Sequence, residues 1–390
     1  MTKKKLLIIS LFIFSVLFVL AIRYLLNPKV TSEPTLEGIS VETIENTDSP
    51  TQKPFQEPIQ EVATNLEIPW EIVFLPDESM LVTQRPGSLL HILSDSKKVL
   101  PISGVEHRGE GGLLGLALHP DFKTNNWIYL YLTSKEGEGL KNRVERYTFN
   151  ATTHTLSQKT IILDNIPGAM FHDGGKISFG PDGHLYITTG DAGDNKSAQD
   201  TSSLAGKILR ITDSGEIPQD NPFKNAVYSY GHRNPQGIAW DSNDTLWATE
   251  HGPSITTTGL DEVNRIEMGK NYGWPTITGN KTQAGMVSPK IQSGSETTWA
   301  PAGIVIINDT LFFTGLKGEG LYSAVIKDKE ITQFTKHFSN EFGRLRALTL
   351  SPDKKWLYIS TSNTDGRGSA KENDDKIIKI SLDVFSSILQ

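Results

Sequence analysis

The sequence predicts an all-β protein, a six-bladed β-propeller preceded by an N-terminal hydrophobic helix and a disordered tether. One phrase recurs six times: a short apolar strand, a turn with Pro-Asp or Asn-Asp, and a second apolar strand ending in Thr or a similar residue. Several copies precede a further strand rich in Val, Ile and Leu. One such blade cannot bury both faces alone, so the repeats are expected to stack radially.

Each copy of the phrase reads as a β-hairpin. The copies are EIVFLPDESMLVTQ from Glu71, LGLALHPDFKTNNWIYLYLT from Leu114, KISFGPDGHLYITTG from Lys176, GIAWDSNDTLWATE from Gly237, GIVIINDTLFFTG from Gly303 and ALTLSPDKKWLYIST from Ala347. Their uneven spacing indicates long inserted loops, which usually lie on a functional face. The segment EVATNL at Glu61 is expected to add an outer strand to the last blade and close the ring, which removes exposed sheet edges.

The N-terminus has the pattern of an export segment. Residues 1–26 contain three lysines and then an apolar run from Leu6 to Ile22, which predicts a signal or membrane anchor. Because no clear cleavage site follows, we expect an uncleaved anchor with the bulk of the chain outside the cytoplasm, or a secreted protein if cleavage occurs. Residues 27–60 are rich in Pro, Thr, Ser and Glu and read as a flexible linker before a propeller domain at 61–390.

Composition argues against several function classes. The chain has 38 Lys+Arg against 45 Asp+Glu, a net charge of −7, and no basic stripe, so no nucleic-acid partner is expected. It has no cysteine, which excludes disulfides and a lipid-bearing cysteine. It contains no zinc-type His/Cys set, no G-x-S-x-G and no G-x-G-x-x-G between a strand and a helix.

Unusual polar residues cluster at one end of the predicted hairpins. The start of the first strand and the end of the second lie at the same end of an antiparallel pair. Ten clusters are expected there, around the central channel: RGEGG at Arg108, FHDGG at Phe171, HRNPQ at His232, WAPA at Trp299, GRLR at Gly343, Gln84 with Arg85, GDAGDN at Gly190, EHGPS at Glu250, GLKGEG at Gly315 and SNTDGRG at Ser362. The opposite ends carry plain turn residues, to which no function is assigned.

The predicted active face is rich in cations. They are Arg108, Arg233, Lys317, Arg344 and Arg346. Paired guanidinium groups around a channel suit a ligand with several carboxylates or phosphates. The alternative for any single arginine is an ion pair with a structural Asp or Glu, but the whole set favours an anionic ligand.

Two further features suggest chemistry. His172 lies in a glycine-flanked loop, where a neutral imidazole could accept a proton from a substrate hydroxyl; a loop histidine bonded to the backbone is the alternative. The segment from Glu250 to Pro275 places carboxylates among Gly and Pro, where they could bind Ca²⁺ together with exposed carbonyls. A chance acidic cluster is the alternative there.

Several phrases resemble the soluble quinoprotein glucose dehydrogenases and aldose sugar dehydrogenases, the PQQ-dependent glucose/sorbosone dehydrogenase family. They are GEGGLLGLALHPDF, FHDGGKISFGPDG, TTGDAGD, AGKILRI, YGHRNPQGIAW, EHGP, DEVNRI and NYGWP. The resemblance extends from about Leu66 to Leu382. It implies a six-bladed propeller that oxidises aldoses to lactones with pyrroloquinoline quinone (PQQ) and Ca²⁺.

The resemblance also implies roles for individual residues. His172 would be the general base, and Arg233 would serve both catalysis and cofactor binding. The remaining cofactor ligands would be Asn234, Lys317, Arg344, Arg346 and Asp191, and the sugar would contact Gln84 and Trp299. Carbonyls of Gly252 and Pro253 would bind one Ca²⁺, and Asp261, Glu262 and Tyr272 a second. An aldose, an unidentified electron acceptor and a second copy of the chain in a homodimer are the expected partners.

Some positions depart from the glucose-oxidising branch. Phe171 stands where that branch has a carboxylate, and Ala192 where it has an amide, so fewer hydrogen bonds to sugar are expected. The pattern therefore resembles the broader aldose-oxidising relatives. Lys176 replaces the commoner arginine, with no role assigned. The competing hypotheses are a Ca²⁺-dependent lactonase-type hydrolase and a non-catalytic sugar-binding propeller, since one fold supports many functions.

Overall fold

The computed structural model describes residues 57–253 and 259–389. These residues form six four-stranded antiparallel sheets, which confirms the predicted six-bladed propeller. The predicted N-terminal helix and all but the last few residues of the predicted linker lie outside the described residues. Within the described ranges, no helix has the length and apolar character needed to cross a membrane.

The first three blades follow the chain from the inner to the outer strand. Strand β1 (Ile59–Ala63) precedes them and belongs to the last blade. Blade 1 comprises β2 (Pro69–Phe74), β3 (Met80–Gln84), β4 (Ser88–Ile92) and β5 (Lys97–Pro101). Blade 2 comprises β6 (Leu113–Leu118), β7 (Trp127–Glu136), β8 (Gly139–Asn150) and β9 (Thr155–Gly168). Blade 3 comprises β10 (Ile177–Phe179), β11 (Leu185–Thr189), β12 (Lys207–Ile211) and β13 (Val227–Tyr230).

The last three blades repeat this order. Blade 4 comprises β14 (Pro235–Trp240), β15 (Leu246–Glu250), β16 (Glu262–Ile266) and β17 (Ile291–Gln292). Blade 5 comprises β18 (Pro301–Ile307), β19 (Thr310–Gly315), β20 (Gly320–Lys327) and β21 (Glu330–His337). Blade 6 comprises β22 (Leu345–Leu350), β23 (Trp356–Thr361), β24 (Ile377–Ser381) and β1. One short α-helix, α1 (Phe122–Asn125), and two 3₁₀ turns, Ser197–Gln199 and Leu382–Phe385, complete the described elements.

Blade 6 closes the ring by combining both ends of the described chain. Strand β1 pairs antiparallel with β24, with Ile59 opposite Ile380. The outer strand expected around Glu61 is therefore present, and it already begins within the stretch assigned to the linker. We call the end of the propeller that carries the polar clusters the loop end, and the opposite end, which carries the hairpin turns of the repeated phrase, the turn end. Strand β24 runs from the loop end to the turn end, so β1, which pairs antiparallel with it, begins at the turn end.

The hydroxyl residue near the end of the repeated phrase joins neighbouring blades. Thr83 Oγ1 donates a hydrogen bond to the carbonyl of Leu114 in blade 2, at 2.6 Å. Equivalent bonds link Thr249 to the Ala302 carbonyl (2.8 Å), Thr314 to the Arg346 carbonyl (2.6 Å) and Ser360 to the Pro69 carbonyl (3.1 Å). In blade 2 the Tyr131 hydroxyl serves instead and donates to the Asp173 carbonyl at 2.7 Å. These bonds satisfy buried carbonyls on four inner strands and, at Asp173, in the loop before β10.

Glycines allow the inner strands to approach closely. A Cβ atom on Gly237 would lie 2.3 Å from the Ala302 carbonyl oxygen, and one on Gly303 would lie 2.6 Å from the Arg346 carbonyl oxygen. Any side chain at either position would collide with the backbone of the next blade. Apolar side chains from adjacent blades, such as Leu114 with Ile177, fill the remaining space between the sheets.

The axis of the propeller carries a cavity at each end. The cavity at the turn end measures about 740 Å³ and is lined mainly by apolar inner-strand residues. Its two charged residues, Glu71 and Lys176, form an ion pair at 2.5 Å, and burial raises the pKa of Glu71 although Lys176 opposes this effect. Lys176 thus balances a buried carboxylate. The cavity at the loop end measures about 500 Å³ and is polar.

We expect Thr314→Val to lower the free energy of unfolding by about 1–3 kcal/mol, because the Arg346 carbonyl would lose a buried donor. Thr332→Val is a matched control, because the Thr332 hydroxyl is exposed on β21, and its effect should stay within about 0.5 kcal/mol. Urea unfolding of both variants measures the difference. Equal stability of the two variants would contradict the structural role assigned to the inter-blade bond.

Candidate active site

The polar cavity at the loop end collects the predicted clusters. All but one of the ten clusters contribute to its lining, which confirms that antiparallel geometry sorts them to one end. The lining residues are Arg85, Glu110, His172, Arg233, Asn234, Gln236, His251, Thr298, Ala300, Leu316, Lys317, Arg344, Arg346, Asp365 and Arg367. The remaining cluster, GDAGDN, lies behind His172. Arg108 is absent from this lining and lies 3.7 Å from Glu106, with nearly half of its side chain exposed.

His172 is held in one orientation at the edge of this cavity. Its backbone has a φ of 64°, which is uncommon for a residue with a side chain, and its N–H donates to Glu110 Oε2 at 3.0 Å. Its Nδ1 lies 2.6 Å from Asp191 Oδ1. Because the ionised carboxylate only accepts hydrogen bonds, Nδ1 carries the proton and Nε2 keeps the lone pair in the neutral imidazole.

Asp191 supports His172 and is itself fixed. Its Oδ2 accepts a hydrogen bond from Trp274 Nε1 at 2.8 Å, and its Oδ1 also accepts from the Gly193 N–H at 2.9 Å. Burial acts to raise the pKa of Asp191, but the hydrogen bond from His172 and the other donors outweigh it and lower that pKa. The sequence placed Asp191 among the cofactor ligands; the structure places it behind His172 and outside the cavity lining.

The four buried cations of the cavity, Arg85, Arg233, Arg344 and Arg346, are only partly compensated. Burial, followed by repulsion from Arg85, lowers the pKa of Arg346 to about 9. Arg344 pairs with Asp365 at 2.8 Å, whereas the Arg346 guanidinium contacts uncharged groups: the Gln236 side chain at 3.1 Å and the Trp70 ring, 5.4 Å from its centroid. A ligand with negative charge would relieve this repulsion.

Three buried polar atoms in the cavity lack a hydrogen-bond partner within residues 57–253 and 259–389. They are Arg346 Nε, Asn234 Nδ2 and His251 Nε2. Unpaired buried donors are costly in a folded protein. The donors on Arg346 and Asn234, together with the exposed Lys317, therefore fit a planar, acceptor-rich anion such as a polycarboxylate quinone.

Two carboxylates in the cavity were not selected from the sequence, although both lie in the predicted clusters. Glu110 accepts from His172 and pairs with Arg367 at 2.7 Å. Burial acts to raise the pKa of Glu110, but the His172 N–H and the nearby cations lower it to about 2. Asp365 forms an ion pair with Arg344, as Glu110 does with Arg367. The signal that could have identified them is their position in GEGG and SNTDGRG, beside the cations.

A smaller space of about 10 Å³ adjoins the cavity and includes most of the residues predicted to bind metal. It is lined by Arg233, Glu250, His251, Gly252, Pro253, Glu262, Tyr272, Trp274, Ile277 and Thr278. Burial and then repulsion from Glu250 raise the pKa of Glu262 to about 8. Glu250 is paired with His232 at 2.8 Å, whereas Glu262 has no ion pair within residues 57–253 and 259–389, so a cation in this space would offset its charge.

Asp261 differs from the other predicted metal ligands. Its Oδ1 accepts from the Gly252 N–H at 2.8 Å, and its Oδ2 accepts from the Thr298 hydroxyl and from two backbone N–H groups. It therefore organises the loop around the cavity. In the described part of the chain, no group of three or more His, Cys, Asp or Glu side chains has an arrangement that could hold a metal ion.

The structure does not bring the two predicted sugar ligands into the cavity. The Trp299 side chain is 6% exposed and packs among Phe313 and Tyr322, because its hydrophobic indole completes the core between two blades. Gln84 bonds the Glu67 N–H and Ser88 Oγ. Their neighbours Ala300 and Arg85 line the cavity instead.

The glucose/sorbosone dehydrogenase family model matches residues 66–374. An aldose sugar dehydrogenase of Escherichia coli (strain K12) is 32% identical over 336 residues, covering 77% of this chain and 89% of the relative. Quinoprotein glucose dehydrogenase B of Acinetobacter calcoaceticus is 35% identical over 259 residues, covering 57% and 53% of the two chains.

Solved structures agree with this similarity. The PQQ-bound form of an aldose sugar dehydrogenase from Streptomyces coelicolor superposes with a TM-score of 0.78 at 38% identity, covering 83% of this chain and 96% of that chain. The family model and these relatives cover most of the propeller, and the chain belongs to the glucose/sorbosone dehydrogenase family.

Proposed function

We propose that this protein is a PQQ-dependent aldose sugar dehydrogenase, which oxidises the anomeric carbon of aldoses to lactones. The observation that carries the proposal is the pairing of His172 with Asp191 at the edge of a cavity rich in buried cations. An oriented base and an anion-binding cavity are the two parts that sugar oxidation with an anionic quinone requires.

The cavity residues would hold the cofactor by charge and hydrogen bonding. Arg346, Arg344 and Lys317 offer cationic donors, and Asn234 offers an unpaired amide N–H. Arg233 stacks near the Trp274 ring, 5.4 Å from its centroid, and also faces the cavity. When bound, PQQ would supply the two-electron acceptor for a hydride from the anomeric carbon.

His172 would act as the general base in that reaction. Its Nε2 takes the proton of the C1 hydroxyl as the C1–H bond breaks and the C1=O bond of the lactone forms. Asp191 stabilises the resulting imidazolium through the Nδ1–H bond, without taking the proton itself. Because the His172 side chain is partly exposed, it can return the proton to solvent.

Calcium would complete the site. Carbonyls of Gly252 and Pro253 and the buried carboxylates Glu250 and Glu262 are the oxygen donors near the small adjoining space. Hard oxygen donors are the ligands that Ca²⁺ prefers. The bound ion would compensate the negative charge there and polarise an adjacent carbonyl group.

The competing functions have weaker support. A lactonase needs carboxylates free to bind a catalytic ion in the channel, but Glu110 and Asp365 are already paired with Arg367 and Arg344. A non-catalytic sugar-binding protein would not need the His172–Asp191 pair.

We further propose that residues 1–26 anchor the protein outside the cytoplasm, with a homodimer as its assembly.

Titration of the purified protein with PQQ is expected to give stoichiometric binding that depends on Ca²⁺. Loaded protein should then reduce an artificial dye when aldoses are added. Absorbance of the quinone measures binding, and dye bleaching measures turnover. Absence of binding at any Ca²⁺ concentration would refute the proposed function and favour lactone hydrolysis or simple sugar binding.

His172→Ala is expected to lower kcat by roughly 10²–10⁴-fold, because general base catalysis contributes about that factor. PQQ affinity should stay close to that of the unchanged protein, since His172 carries none of the cationic binding groups. His184→Ala is a suitable control, because His184 lies in a turn at the far end. A variant with unchanged kcat would show that another group is the base.

Arg346→Gln is expected to weaken PQQ binding by roughly tenfold or more, because a charge-assisted hydrogen bond contributes about 1.5–3 kcal/mol. Arg265→Gln removes an arginine that pairs with Glu267 outside the cavity and should leave the affinity unchanged. The quinone titration compares the two. Equal affinities would exclude Arg346 as a cofactor ligand.

A further inference from the structure

Phe171 is an exposed aromatic residue next to the proposed base. Half of its surface is exposed (50%), although large apolar side chains are usually buried in a folded protein. Its ring centroid lies 6.0 Å from that of His172, with the planes tilted by 55°. Phe171 is absent from the cavity lining, so its ring lies at the rim of the site.

The backbone that carries Phe171 is clamped on both sides. On one side, the Met170 carbonyl accepts from the Glu110 N–H at 3.0 Å. On the other, the His172 carbonyl accepts from the Ala192 N–H, and a Cβ on Gly190 would lie 1.8 Å from the His172 carbonyl oxygen. Phe171 is therefore held in position without being packed into a core, so its exposure is built into the loop.

A sugar that reacts at His172 must lie close to this ring. The C1 hydroxyl has to come within about 2.6–3.2 Å of Nε2 for proton transfer. The pyranose ring then extends to a distance at which aromatic rings pack, with centroids about 4.5–7 Å apart. The C–H face of a pyranose is apolar, and an exposed phenyl ring offers it an apolar surface.

We infer that Phe171 is a specificity-determining residue, an aromatic platform that binds the apolar face of aldopyranoses and accepts epimers nearly equally. This inference rests on the proposed function. A phenyl ring makes no directional hydrogen bond to sugar hydroxyls, and apolar contacts discriminate between substrates far less than hydrogen-bonding sites do. The site therefore takes aldopyranoses as a class.

The test uses the full chain loaded with PQQ and Ca²⁺ and a panel of epimeric aldoses. Phe171→Ala should raise KM by about three- to tenfold, since an aromatic contact has about that effect. The factor should be similar for every sugar, with kcat within about twofold. Phe171→Tyr should restore KM. Met268→Ala, which removes another exposed apolar side chain (44% exposed), should change nothing.

A second readout does not depend on turnover. Saturation-transfer NMR with 1,5-anhydroglucitol, which lacks the anomeric hydroxyl, should show binding to the unchanged protein and weaker binding to Phe171→Ala. PQQ affinity should be the same in both. If the unchanged protein oxidises aldoses while Phe171→Ala keeps its KM, or loses affinity for one epimer only, this inference is overturned and the proposed function stands. If the unchanged protein neither binds nor oxidises any sugar, both are overturned.

Discussion

The hydrogen bonds between neighbouring blades set the geometry on which everything else depends. A hydroxyl on the second strand of one blade donates to an inner-strand carbonyl of the next, as from Thr314 to Arg346. This bond reaches the backbone of a cavity residue directly. Since blade 6 takes its outer strand from the start of the described chain, the ring is closed by strand pairing as well. Loops distant in the sequence are thereby held around one axis.

That frame concentrates charge where solvent is largely excluded. Burial lowers the pKa of Arg346, and repulsion from the neighbouring Arg85 and Arg344 lowers it further. Glu110 and Asp365 offset part of the positive charge, but each is already paired with an arginine. The remaining field favours an anionic ligand over a neutral one. The small adjoining space instead contains buried carboxylates. A cation there would offset their negative charge, just as an anion in the cavity would offset the positive charge of the arginines.

The sequence was sufficient for the fold and for the end of the propeller at which the site lies, because both follow from strand alternation and hairpin direction. It did not specify the direction of individual side chains. Trp299 precedes β18 and Gln84 ends β3, both at the predicted end of the propeller, yet the Trp299 side chain packs in a core and the Gln84 side chain accepts a hydrogen bond from the Glu67 N–H. Side-chain direction in a loop depends on local φ and ψ, which strand periodicity does not specify. The position of Asp191 behind His172 became evident only from the hydrogen bond between their side chains in the structure.

The site combines a side chain held in place, that of His172, with an exposed neighbouring side chain, that of Phe171. His172 is fixed by Glu110 through its backbone and by Asp191 through its ring, so two different loops determine its position. Phe171, one residue earlier, shares that clamped backbone but has a free side chain. If Phe171 contacts the sugar as proposed, its substitution would weaken the binding of all aldoses similarly while His172 keeps its position. On that proposal, substrate selectivity would depend on exposed residues at the rim of the cavity, and proton transfer would depend on the buried contacts behind them.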